Sequence, residues 1–263
     1  MHLKLVHLKV ITFILLFTLI FITLRYLHII PLTPQSDKYN NLPWLFSAIS
    51  LIFSIISGFI IQSKWQTWNE LIDATHGEIS SLKQLHMLGN HFPVPIQKTI
   101  RRDIAAYLQI IIDETSSNIN AQGRSDRVEA AIYKLEETVL DIDYSEHPNI
   151  GSLMFDLVRK CLDYREKRLQ NILRKLPNGV KLFTISTTVS IILSSLFVSI
   201  TGVVYDYVFT LIIGLLSYGI YLLIDDLDHP YRPGQWQLTK DGYISLLDEV
   251  NESIKNPSTA HSL

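Results

Sequence analysis

The apolar positions of this chain change their repeat partway along one continuous stretch, Trp44 to Leu88. From Trp44 to Ile61 no residue is charged. At the helical rise that run covers about 27 Å, close to the ~30 Å hydrocarbon core of a bilayer. Beyond it Lys64, Glu70, Asp73, Glu78 and Lys83 enter, while Trp68, Ile72, Thr75, Ile79 and Leu82 keep a four-three spacing. With no Pro before Pro93, the pattern predicts one helix that crosses a membrane and continues as an amphipathic rod in water.

The same reading orders the rest of the chain. A charge-poor run over 10–30 predicts a first span. Bulky Tyr26, Leu27 and His28 follow the run where a signal peptide would need small residues, so the span is expected to be retained, with Arg25 snorkelling to the interface. Pro31, Pro34 and Pro43 predict a non-helical connection. The second span is set at 44–61. Gly89, Asn90, Pro93 and Pro95 end the long helix. Three amphipathic helices are expected at about 95–116, 126–142 (capped by Ser125 or Asp126) and 152–176, with a polar linker at 117–125. Pro177-Asn178-Gly179 then interrupts. Spans three and four are expected at 182–204 and 207–224, joined tightly at Asp206. Asp225, Asp226 and Asp228 precede His229-Pro230 and a Pro233-Gly234 turn, a final amphipathic helix falls at about 239–254, and the end from Asn256 is expected to be disordered.

The fold class is therefore all-α: an integral membrane protein with four transmembrane helices and a cytosolic helical domain between the second and third spans. The expected segments are a membrane hairpin (1–62), a cytosolic four-helix domain (63–181), a second hairpin (182–224) and a cytosolic tail (225–263). Orientation follows from Lys and Arg. Lys4 and Lys9 precede the first span, and Lys64, Lys167, Arg168, Arg174, Lys175 and Lys181 crowd the central domain, whereas the loop between spans one and two has only Arg25 and Lys38. The positive-inside rule puts both termini and 62–181 in the cytoplasm.

Composition narrows the function. A net charge of −2 over 263 residues gives no basic footprint for nucleic acid. One cysteine, Cys161, excludes an intramolecular disulfide framework and a Cys-rich zinc site, and reads as a small buried residue. No phosphate-cradling glycine loop or nucleophile elbow is present. The His residues are scattered; His76 with Asp73 and His86 with Lys83 read as surface pairs. No catalytic residue, metal site or cofactor is expected, and the chain is read as not an enzyme.

Several short motifs, in order, resemble the bestrophin-like domain family of bacterial membrane proteins, and more distantly the bestrophins. Trp65-Gln66-Thr67-Trp68-Asn69-Glu70 is similar to the bestrophin Arg-Trp-Trp-Glu region. Glu78-Ile79-Ser80-Ser81-Leu82 followed by Pro93 resembles the family's Glu-rich helix and Leu-Pro turn. Tyr164-Arg165-Glu166-Lys167-Arg168-Leu169 with Leu176-Pro177 resembles its Arg-x-x-Arg-Leu helix, and Leu227-Asp228-His229-Pro230-Tyr231 with Gly234 its Leu-Asp-x-Pro-Phe-x-Gly ending. Bestrophins are pentameric anion channels, gated by calcium in animals. The resemblance implies a homo-oligomer, possibly a pentamer, passing an anion such as chloride along the second span. Calcium gating does not carry over, because here the acids come before Pro230 and Gln235-Trp236-Gln237 follow the turn.

Span two offers two helical stripes. Phe46, Ile49, Phe53, Ile56 and Ile60 are candidates for a hydrophobic neck that gates by dewetting, the reading the resemblance favours. Ser47, Ser50, Ser54 and Ser57 form either a helix-packing face or a polar pore wall. Asp225, Asp226 and Asp228 are candidates for a cytoplasmic mouth, or, for the first two, for ion pairs with Arg165 and Arg168; as solvated ends they would have no further role. Trp65, Trp68 and Glu70 sit where the helix leaves the bilayer, as interfacial anchors or a joint. The alternative to a channel is a non-conducting membrane-anchored scaffold or sensor working through the helical domain.

Overall fold

The computed structural model describes residues 2–27, 42–113, 125–145, 148–198, 202–232 and 236–255. The Pro-rich connection up to residue 41, the polar linker up to 124, the Pro233-Gly234 turn and the tail from Asn256 lie outside the described residues. All described secondary structure is helical: α1 (His2–Tyr26), α2 (Leu42–Gly89), α3 (Val94–Asp113), α4 (Asp126–Leu140), α5 (Pro148–Leu173), α6 (Asn178–Phe197), α7 (Val203–Leu227) and α8 (Asp241–Lys255). Four of them, α1, α2, α6 and α7, are long and apolar enough to cross a membrane. The rod predicted from Trp44 is a single helix of 48 residues. The chain divides into two compact units, 1–66 with 175–237 and 67–174 with 238–263.

In the first unit, aromatic side chains of α1 lie on α7. Phe13 stacks on Tyr218 with centroids 4.5 Å apart, and Phe21 meets Tyr207 edge-on at 5.2 Å. Gly214 makes room for this contact: a Cβ there would meet Phe13 at 3.3 Å and Phe17 at 3.4 Å. The buried positions of α6 (Thr184, Thr188, Ile191, Ser195, Leu196) and of α7 (Asp206, Thr210, Gly214, Ser217, Ile224, Leu227) include six small or hydroxylated residues. Small residues let backbones approach where lipid removes the hydrophobic drive. The hydroxyls are satisfied within their own helices: Thr188 donates to the Thr184 carbonyl and Thr210 to that of Asp206, both at 2.8 Å. Span four starts earlier than expected. Asp206 lies in the first turn of α7, not in a loop; it is fully buried and pairs with Arg25, which is therefore not snorkelling. An N-terminal acid also suits the helix dipole.

The second unit is a water-soluble type of core. Leu82 and Leu85 of α2, Ile100, Ile104, Tyr107 and Leu108 of α3, Ile132 and Leu135 of α4 and Met154 and Cys161 of α5 are all within 1% of full burial. On α2 the buried side, Leu71, Ala74, Thr75, Glu78, Leu82 and Leu85, is shifted from the expected stripe, of which Trp68, Ile72 and Ile79 are only half-buried. Pro148 opens α5 earlier than predicted, at a position where its missing N–H is no loss. Ser125 occupies the N-cap of α4 in an extended conformation, but its side chain makes no capping bond. The domain has a helix more than predicted. The terminal amphipathic helix, read as part of a separate tail, is α8, and its Tyr243, Leu246, Leu247 and Val250 are buried in this core. Each such side chain contributes about 1.5–3 kcal/mol of gross burial energy.

Candidate functional site

Within the first unit, the membrane part of α2 has one covered side. Phe53, Ser57, Ile60 and Lys64 recur at four-three-four spacing and are 5%, 3%, 8% and 6% exposed. Two neck candidates, Phe53 and Ile60, thus face the interior of their own subunit; Phe46, Ile49 and Ile56 are half-buried. The Ser stripe divides. Ser57 is buried, Ser50 is half-buried, and Ser47 and Ser54 are exposed together with Leu51, Ile55, Gly58 and Phe59.

At the end of this covered face lies a charged knot. Asp228, one residue past α7, receives Lys64 of α2 at 2.6 Å and Lys181 of α6 at 2.6 Å, and the Leu176 N–H donates to it at 2.7 Å. Asp228 is 3% exposed. Burial alone would raise its carboxyl, but hydrogen bonds from Lys181, Lys64 and the Leu176 amide hold it below the ordinary value. The sequence reading put Asp228 at a cytoplasmic mouth; in the structure it is the buried partner of two lysines. Asp226 accepts the Trp236 N–H at 3.3 Å, and the Asp225 carboxylate lies 3.4 Å from the His229 ring. A cavity of about 40 Å³ beside the knot is lined by Lys181, Thr184, Tyr221, Asp225 and Asp228. That is room for about one water molecule. Trp65 is 38% exposed and meets Trp236 edge-on at 4.6 Å.

Within the second unit, Glu78 is fully buried. It accepts Arg168 at 2.7 Å, the Tyr107 hydroxyl at 2.5 Å and the Tyr243 hydroxyl at 3.1 Å. Burial, and then the Glu78 carboxylate, push the Tyr107 phenol and the Cys161 thiol well up, so both stay protonated and Cys161 is inert. Arg165 has Glu129 at 3.9 Å. Glu70 faces Arg174 at 3.6 Å across a groove of about 390 Å³, which Asp73, Ala74, Tyr164 and Lys167 also line. Trp68 is half-buried. His86, read as a surface residue, is 3% exposed, while His76 is exposed. Among the described residues no group of three or more His, Cys, Asp or Glu could hold a metal ion.

Four apolar spans, one of which runs on into a helical unit completed by the C-terminal helix, define an all-helical integral membrane protein. The model of the Bestrophin-like domain matches residues 12–242, and the chain belongs to that family. Among curated protein sequences none matches it. The fold is that of bacterial bestrophin homologues. One from Klebsiella pneumoniae, solved as a point variant, superposes with a TM-score of 0.69 at 12% identity, covering 95% of this chain and 99% of that one. Another variant from the same organism gives 0.69 at 11% identity, over 94% and 98%. A point variant described as a membrane protein gives 0.73 at 12% identity, over 94% and 98%.

Proposed function

We propose that the protein is a homo-oligomeric, bestrophin-like channel of a bacterial cytoplasmic membrane, that it conducts anions, and that its path runs along the second span. Family membership supports the channel. The observation that carries the path is the exposed side of α2, with Ser47, Leu51, Ser54 and Gly58 uncovered by the subunit itself. A path between subunits has to be lined by side chains that a single subunit leaves open. On this reading Phe53 and Ile60 hold α2 against its own subunit, and the half-buried Phe46, Ile49 and Ile56 flank the path. The charge pattern supports anions: the span from Pro43 to Ile61 carries no carboxylate, and Asp228 is outnumbered by its two lysines.

Purified protein in planar bilayers should pass chloride, and in light scattering it should behave as a multimer, a pentamer by the resemblance. A monomer would remove the path. Phe53→Ala should leave single-channel current unchanged while destabilising the subunit by on the order of 2–4 kcal/mol. A rise in conductance with unchanged stability would return Phe53 to the path as a neck. Both termini and the helical unit are placed in the cytoplasm. Cysteine at Asn120 should resist an impermeant external reagent, and cysteine at Ser36 should react.

The second reading, a non-conducting scaffold, is favoured by the groove between the acids Glu70 and Asp73 of α2 and the bases Lys167 of α5 and Arg174 just past it, which offers both charges to a partner. A multimer with no conductance in any salt would select it.

A further inference from the structure

The last turns of α8 are held by a buried arginine that the channel reading does not use, and His86 lies on the side of α2 between Lys83, which reaches Glu249, and Asn90, which reaches that arginine. Arg101 of α3 is 2% exposed. It donates to the Ser253 carbonyl at 2.5 Å and to the Asn90 side-chain oxygen at 2.7 Å. The first bond satisfies one of the carbonyls that a helix C-terminus leaves open, and places a cation at the negative end of the α8 dipole. His86, near the end of α2, is 3% exposed, and its Nδ1 has no hydrogen-bond partner. Charged groups act on it from each of three elements: Lys83 on its own helix, Arg101 on α3 and Glu249 on α8. Two are cations. The one carboxylate, Glu249, is already engaged by Lys83 at 2.8 Å on the exposed rim.

We propose that His86 and Arg101 form an acid-operated latch on the C-terminal half of α8: charging His86 releases residues 249–255 from the helical unit. The docked state has no place for the second positive charge. Burial, and then the Arg101 guanidinium, hold the imidazole below its ordinary value, Lys83 adds to this and Glu249 opposes it. A released imidazole returns to that ordinary value of about 6.5. The sign follows from linkage. The released state binds the proton more readily, so docking is at full strength above about pH 6.5 and weakens as pH falls below it toward the lowered value. Each pKa unit of depression is a factor of about ten in the docking equilibrium. Tyr243, nearer the start of α8, is anchored separately by Glu78 in the core, so release begins at the far end.

Hydrogen exchange of the full-length oligomer in nanodiscs tests this. Between pH 7.5 and 5.0, after correction for intrinsic chemistry, exchange of the 249–255 amides should rise severalfold while α4 stays flat. His86→Leu should abolish the rise. Lys83→Met changes only the exposed rim and leaves Glu249 free to neutralise the imidazolium, so the ratio of exchange at the two pH values should fall severalfold. If His86→Leu does not fold, Lys83→Met decides alone. No rise in the natural protein, or the same ratio in Lys83→Met, overturns the latch. Conductance is not read, so failure here leaves the channel proposal standing.

Discussion

Both units bury charge, but in different places. In the membrane unit the buried ions sit at the ends of the apolar runs: Arg25 with Asp206 at one junction, and at another Lys64, just past the charge-free run of α2, and Lys181 with Asp228. In the helical unit Glu78 and Arg168 lie in the middle of the core, and two tyrosine hydroxyls complete the carboxylate's shell. The surrounding packing differs to match. The membrane helices meet through Thr, Ser and Gly, whereas the helical unit buries Ile, Leu and Val. Lipid offers no hydrophobic drive between helices, so close backbone approach and a few end-of-helix ion pairs fix the arrangement. Water supplies that drive to the other unit, which can carry a costly ion pair in its core when the carboxylate's lone pairs are used.

This contrast can be broken at its strongest point first. Glu78→Leu strands Arg168 and two hydroxyls in an apolar core, and should cost on the order of 3–5 kcal/mol, seen as collapse of the helical unit in thermal unfolding of the full-length protein. A cost under about 1 kcal/mol would mean the carboxylate adds nothing to the core. Asp228→Asn should come next, at on the order of 2–4 kcal/mol, because Lys64 loses its buried counter-ion while the one-third-exposed Lys181 can turn to water. The same carboxylate has a depressed pKa, so its contribution is complete above the ordinary carboxylate value and is lost only as pH falls below about 4. The difference in stability between the natural protein and Asp228→Asn, flat between pH 7 and 5 and shrinking below 4, checks the sign. Thr210→Val should cost least, within about 1 kcal/mol, since the Thr210 hydroxyl serves its own helix and Val keeps the shape. A larger loss would show hydroxyls bonding across helices and would bring the two units closer in kind.

The periodic features were legible in the sequence. Charge-poor runs located all four spans, and the range of α4 was expected as an amphipathic helix. What was not legible depended on neighbours far along the chain. Nothing local says that Asp206 meets Arg25, that Asp228 meets Lys64, or that His86 lies beneath α8. The amphipathic pattern of α8 was plain, but its docking place belongs to tertiary packing. Likewise, composition separates the Phe/Ile stripe of α2 from the Ser stripe, whereas which one a subunit covers is decided by the other spans.

The position of α8 has a consequence for biogenesis. The core that begins with Leu82 of α2 lacks Tyr243, Leu246, Leu247 and Val250 until α8 has been synthesised. By then α6 and α7 have left the ribosome. The helical unit therefore waits, with the apolar side of α3 uncovered, through the insertion of two membrane segments. Chains that stall or are cut before residue 241 present that side to chaperones and proteases. Completion of the soluble half thus reports that the membrane half has been made.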